Sequence, residues 1–275
     1  MTTSIEPGLY VVATPIGNLG DLSGRAIATL RSATTVAAED TRTSGMLVKR
    51  AGGSGRMLSL TEHNVGQRIP ALLEAARTGI VALVSDAGTP VIADPGARLV
   101  EAAHAGGVRV VPIPGPSALA AAVSASGFEG SDVHFLGFLP KTRGERIARL
   151  RAAALSAPVL VFFESPQRLG KTLLELVAEL GDPETVVCRE LTKLHEEVVR
   201  GAASELAPRF QTARGECTVV VRCPPAANAQ ADTAEASTLL AAMKRAGARR
   251  PAAAAEVARL TGARRDELYE AWEAL

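Results

Sequence analysis

"VSDAGTPVIADPG" (Val84–Gly96) joins an apolar, β-branched run, "IVALVS", to an amphipathic one, "GARLVEAAHAG", through a segment dense in glycine and proline. A buried strand that breaks into such a loop and then into a helix is one βα unit of a doubly wound sheet. Ligands of such sheets bind at the carboxyl ends of the strands. Gly88 lets backbone approach a ligand closely, Pro90 fixes the chain direction, and Asp86 offers a carboxylate at the crevice. Four further loops follow apolar runs in the same way: "TPIGNLGD", "EDTRTS", "TEHN" and "PIPGPS". Five successive strand ends of this kind predict a binding cleft rather than a set of unrelated tight turns.

The alternation of short apolar runs with amphipathic stretches predicts a first α/β domain over residues 1–115, built on a mainly parallel sheet. "PIPGPS" (Pro112–Ser117) interrupts it as a hinge. A second α/β domain is expected over 116–225, its last strands close enough together to pair antiparallel. "PPAANAQAD" reads as a linker, assigned to 226–232. In the tail, 233–275, helical periodicity breaks at "AGARRP" and "TGARRD", which predicts about three short helices loosely like a helix-turn-helix.

Composition narrows the function. The 275 residues carry a net charge of +1 and 21% charged residues, so no global basic field attracts naked nucleic acid, DNA is not expected as a partner, and any RNA contact is local. Aromatic residues make up only 3%, which leaves little for a base-stacking platform. The three cysteines, Cys188, Cys217 and Cys223, show no metal-ligand spacing, so no metal is expected, and a reducing cytoplasmic compartment fits them. No apolar run approaches membrane-spanning length. "FFESPQRLGKTLLEL" places strand, loop, GKT and helix in Walker A order. Ser165 occupies its first glycine position, and Pro166, Arg168 and Leu169 supply bulk where phosphates need free amides, so Lys171 is read as a solvated helix residue.

"TPIGNLGD", "AAEDTR", "SDAGTPVIADPG", "PGPSAL", "GFLP", "FFESPQR" and "RELTKLHEE", in order from Leu9 to about Cys223, resemble the successive motifs of the tetrapyrrole methylase superfamily. Within it they are similar to the small-subunit ribosomal RNA cytidine 2′-O-methyltransferases. The resemblance implies two α/β domains with S-adenosylmethionine in the cleft between them, a helical C-terminal extension and a homodimer. It also implies a substrate, the decoding-centre cytidine of 16S rRNA, met on the assembled 30S subunit. Carried over position by position, Pro15, Gly17, Asp86, Gly88, Thr89, Pro90, Ser117 and Ala118 line the cofactor, joined by Phe163, Leu191 and Cys217 from the second domain. Gln167 departs from the pattern: the family usually has histidine there. A methyltransferase for a corrin or porphyrin precursor, and a non-catalytic ribosome-assembly factor, are the competing readings.

The reaction needs alignment of a ribose hydroxyl and removal of its proton. Glu39, Asp40, Arg42 and His63 at strand ends, with Lys193 from the second domain, are the catalytic candidates, and spacing singles out none. Asp40 and Arg42 have an alternative reading as a helix cap and its ion pair. His104 is assigned to an apolar helix face. "KTRGERIARLR" clusters Arg143, Arg146 and Arg149, and "ARRP" adds Arg249 and Arg250, as local phosphate contacts.

Overall fold

The computed structural model describes residues 5–223, 233–261 and 265–274. Its first sheet consists of β1 (Gly8–Val12), β2 (Thr35–Ala38), β3 (Arg56–Ser59), β4 (Ile80–Val84) and β5 (Val110–Ile113), all parallel, in the order β3-β2-β4-β1-β5. Alternate strand residues feed two cores, as expected of a parallel sheet covered on both faces. Tyr10 and Val12 pack with α1 (Gly24–Ser32) and α2 (Thr41–Arg50) through Leu30 and Val48. Leu9 and Val81 pack with α3 (Val65–Thr78) and α4 (Ala97–Ala105) through Leu72 and Leu99.

After the "PIPGPS" segment, α5 (Ala118–Ser126) packs against a second sheet. That sheet contains β6 (Val133–Phe138), β7 (Val159–Glu164), β8 (Glu184–Arg189), β9 (Glu197–Ala202) and β10 (Cys217–Arg222), ordered β6-β7-β10-β8-β9. Only β6 and β7 are parallel; the remaining pairs are antiparallel. The opposite face is covered by α6 (Arg143–Ala154), α7 (Pro166–Leu180) and α8 (Ala203–Arg209), which bury Leu150, Leu173, Leu206 and Phe162.

The tail forms three helices, α9 (Thr233–Arg245), α10 (Arg250–Thr261) and α11 (Arg265–Ala274), around a core of their own that includes Leu240, Val257 and Leu268. The expected linker, 226–232, lies outside the described residues.

Several expectations need correction. Arg146 is not a solvated phosphate contact. Its buried guanidinium donates to both carboxylate oxygens of Glu175, at 2.6 and 2.7 Å, and to the carbonyls of Pro140 and Lys141. Arg250 is likewise committed to the tail bundle: it lies over the Tyr269 ring at 4.7 Å, donates to the Tyr269 carbonyl and pairs with Glu273. His104 is exposed in the last turn of α4, beside but not on the apolar face formed by Leu99 and Ala103. The Walker-like segment has a single residue, Ser165, between strand and helix. Helix α7 starts at Pro166, the first-turn position proline suits, so Gly170 and Lys171 are helical, with Gly170 buried.

Candidate active site between the two sheets

The loops at the strand ends of the first sheet are stitched to one another, and the Val84–Gly96 segment is the hub. Thr14 and Gly88 exchange backbone hydrogen bonds of 2.8 and 3.1 Å, joining the loop after β1 to the loop after β4. Gly88 has φ +88°, a left-handed conformation, and a Cβ there would press on Ile16. Asp86 accepts from the backbone N–H of Asp40 at 3.2 Å, which ties in the loop after β2. Thr89 donates its hydroxyl proton to the Pro116 carbonyl at 3.0 Å and so reaches the segment after β5. Val91 and Ala93 also have positive φ, 76° and 64°. Two non-glycine residues held this way in one loop mark it as fixed by its surroundings.

A cavity of about 400 Å³ opens between this hub and the ends of β7 and β10. Of the residues expected to line a cofactor, Asp86, Gly88, Thr89, Ser117, Ala118, Phe163 and Cys217 are on its wall. Pro15 and Pro90 are buried away from it, and in the first loop it is Ile16 that faces the space. Leu191 packs on the α5 side of the second sheet. Gly17 serves a different purpose. A Cβ there would overlap Lys193, so the bare glycine seats the lysine stem of the second sheet against the first loop. Gly17→Ala is expected to cost about 1–3 kcal/mol by overpacking, read as a lower urea midpoint. In a Lys193→Ala background the same change should cost far less; an equal cost there would place the clash elsewhere.

The catalytic candidates divide. Asp40 N-caps α2 through a 2.8 Å bond from the Arg42 N–H and pairs with the Arg42 guanidinium at 3.2 Å, which holds its carboxyl below the usual range. That is the capping alternative, and it makes Asp40 a weak base. Glu39 and His63 are exposed and off the cavity wall. Partial burial pulls the Lys193 ammonium down, but Glu190 at 2.8 Å and Glu216 at 2.9 Å outweigh it and raise its pKa, so it stays a paired cation.

Two wall residues escaped sequence analysis. Asp94, partly buried, has its pKa pushed up to about 6, first by burial and then by the negative charges of Glu39 and Asp86, with a Ser85 hydrogen bond opposing. Phe138 is 63% exposed at the cavity wall. The three cysteines are buried, and burial raises each thiol to about 11, so Cys217 contributes an uncharged wall rather than a nucleophile. Among the described residues no group of three His, Cys, Asp or Glu side chains is arranged to hold a metal ion, and no helix is long and apolar enough to cross a membrane.

Gln167 is exposed on the first turn of α7 and is not on the cavity wall, whereas its neighbours Ser165 and Pro166 are. Glutamine in place of histidine therefore removes no side chain from the cavity. Arg143 and Arg149 are exposed, Arg143 lying 3.7 Å from Glu175 and Arg149 donating to the Leu136 carbonyl; Arg249 is exposed in the tail.

A parallel sheet and a mixed sheet facing each other across a cavity at the first sheet's strand ends define a class. Residues 8–207 match the family model described as Tetrapyrrole (Corrin/Porphyrin) Methylases, and the chain belongs to that family. Among its relatives, a protein named ribosomal RNA small subunit methyltransferase I from Mesorhizobium japonicum is 45% identical, covering 96% of this chain and 91% of its own. A protein of the same name from Thermotoga maritima is 45% identical, over 78% of this chain and 97% of its own. Solved structures share the fold at lower identity. Diphthine synthase superposes with a TM-score of 0.60 at 19% identity, covering 78% of this chain and 89% of that one. Uroporphyrin-III C-methyl transferase from Thermus thermophilus, complexed with S-adenyl homocysteine, gives 0.56 at 22%, covering 78% and 96%.

Proposed function

We propose that this protein is an S-adenosylmethionine-dependent methyltransferase that methylates the ribose 2′-hydroxyl of a decoding-centre cytidine in 16S rRNA. It acts on the assembled small subunit, as a cytoplasmic homodimer. The observation that carries the reading is the cavity between the sheets, in a chain whose near-full-length relatives bear the rRNA methyltransferase name.

The cavity residues fit the cofactor. About 400 Å³ lies within the roughly 300–1,000 Å³ usual for small-ligand sites. Ile16, Ile92 and Phe163 offer apolar contact, the bare Gly88 backbone permits close approach, and the Asp86 carboxylate suits a cationic amino group. When bound, the sulfonium supplies an already activated methyl group. The protein must then align the hydroxyl and accept its proton. Asp94 is the group that accepts the proton, because it is a wall carboxylate made more basic by burial and by the charges of Glu39 and Asp86, and near neutral pH it is ionised. With the cofactor held by Asp86, Gly88 and the apolar wall, the sulfonium would supply the methyl group and Asp94 would take the proton that the ribose hydroxyl gives up. Arg143, Arg149 and Arg249 remain as phosphate contacts.

The tetrapyrrole-precursor reading has less support, because the near-full-length relatives bear the rRNA methyltransferase name. The assembly-factor reading loses its one sequence hint with Gln167 off the wall. Labelled S-adenosylmethionine, unmodified small subunits and free 16S rRNA test the reading, with the label mapped by nuclease digestion. Label is expected on one decoding-centre ribose; label on a base, or none despite measured cofactor binding, overturns it.

A further inference from the structure

Phe138 should not face the cavity by strand alternation. Leu136, two residues earlier on β6, points into the core beneath α6 and α7, and regular pleating would send Phe138 to the same side. Between Phe135 and Phe138 the register against β7 slips by one: Phe135 pairs with Val161, but Phe138 pairs with Phe163. The extra residue is a β-bulge, with Gly137 at φ +64°. A slip of one residue moves a side chain to the other face of the sheet. Phe138 thereby joins Phe135 and Phe163 in an edge-to-face row, with ring centroids 5.4 and 5.0 Å from Phe163.

The result is a large apolar ring, braced from behind by Phe163, that leaves 63% of its surface to solvent at the edge of the cavity. In a chain with six phenylalanines, such exposure is spread over few positions: among the described residues, the exposed large hydrophobics include no other aromatic side chain. The bulge turns away from the core a ring that regular alternation would have buried, and leaves most of it open to a partner from solvent.

We infer that Phe138 is the stacking platform for the base of the acceptor nucleotide, holding the extruded pyrimidine so that its ribose enters the cavity. Proteins that recognise one nucleotide of a folded RNA commonly splay its base out of the stack, and an aromatic face replaces the lost neighbour. This rests on the RNA reading above. The occupant is the base and not the cofactor, because Phe163 is half-buried on the wall while Phe138 is mostly exposed and open to a partner that arrives from solvent.

The test compares wild type, Phe138→Ala and Phe138→Trp in methyl transfer to unmodified small subunits, with S-adenosylmethionine affinity measured separately by equilibrium binding. Loss of one stacked ring should lower kcat/KM for subunits by about ten- to a hundred-fold. Cofactor affinity should stay within about two-fold, and tryptophan should keep most of the rate. A loss under about three-fold in the alanine variant overturns the inference. So does a parallel loss of cofactor affinity, or a tryptophan variant as poor as alanine. If wild type itself transfers nothing to the subunits, the RNA reading fails and Phe138's role falls with it. Since the ring is mostly exposed, both variants are expected to fold, and their melting temperatures verify that.

Discussion

Asp94→Asn will yield a protein that transfers methyl groups about 10²–10⁴-fold more slowly and yet melts at a higher temperature at pH 8. Both effects come from one fact: burial, then the charges of Glu39 and Asp86, raise the Asp94 pKa from 3.8 to about 6. The folded state therefore holds this proton more tightly than the unfolded chain. Its favourable contribution is full below pH 3.8 and is lost as pH rises through 6. Above that, the ionised carboxylate opposes folding by at most about 3 kcal/mol, less what solvent screens at a partly open site. Asparagine carries no charge, so it relieves the penalty. A gain of a few degrees at pH 8 is expected, disappearing by pH 4. The wild-type kcat/KM should climb as pH passes 6 and then level off, whereas the variant should lack that step. An asparagine variant that stays active, or one that is less stable than wild type at pH 8, removes Asp94 from the proton-accepting role. A site residue that lowers stability in its working state is what proton abstraction near neutral pH requires.

Asp94 was in plain view, inside the very stretch that decides the fold, and the sequence did not single it out. The carboxylate that the sequence offers in this loop is Asp86, in "SDAGTP". What changes the chemistry of Asp94 is the approach of Glu39 from the loop after β2 and of Asp86 from eight residues upstream, and no local pattern carries that. The parallel sheet was legible for the opposite reason. Its central strands β1 and β4 are continuous apolar runs because both faces are covered, and the loops that follow them carry the glycines and prolines at which they converge.

Arg143, Arg146 and Arg149 show where charge patterns mislead. The three are spaced like one face of a helix, yet Arg146 turns to Glu175, 29 residues away on α7, and is buried, while Arg143 and Arg149 stay exposed. Phe138 was hidden in another way. Composition shows that aromatic residues are scarce, not that a bulge at Gly137 delivers one of them to the cavity. Glycine inside a strand pattern was the available signal.

Arg168→Ala is expected to be strongly destabilising, by about 3–5 kcal/mol. The side chain of Glu164, at the end of β7, is 0% exposed. It accepts from the Ser165 N–H at 2.7 Å, from Thr172 Oγ1 at 2.8 Å and from Arg168 Nε at 2.8 Å. Arg168 reaches onward to the carbonyls of Leu139 and Pro140, both at 3.2 Å. One guanidinium thus neutralises a buried carboxylate, anchors the start of α7 and closes the loop that follows Phe138. Without it the carboxylate keeps two neutral donors and no bonded counter-charge, with only Arg146 acting from farther off. Glu164→Gln in the alanine background should recover part of the loss, since an uncharged amide tolerates burial better, and the cycle should show coupling of more than about 1 kcal/mol. Lysine should rescue poorly, because a single ammonium cannot serve the carboxylate and two carbonyls in the fixed geometry of a fork. Urea midpoints of the variants decide it: a loss under about 1 kcal/mol in Arg168→Ala, or strict additivity, means the pair does not hold this corner together. The segment that imitates a phosphate loop would then need another explanation for its charge pattern. The bonds already favour this one, because Glu164 and Arg168 bond to each other and to backbone at the cavity's edge, setting the backbone from which Phe138 projects.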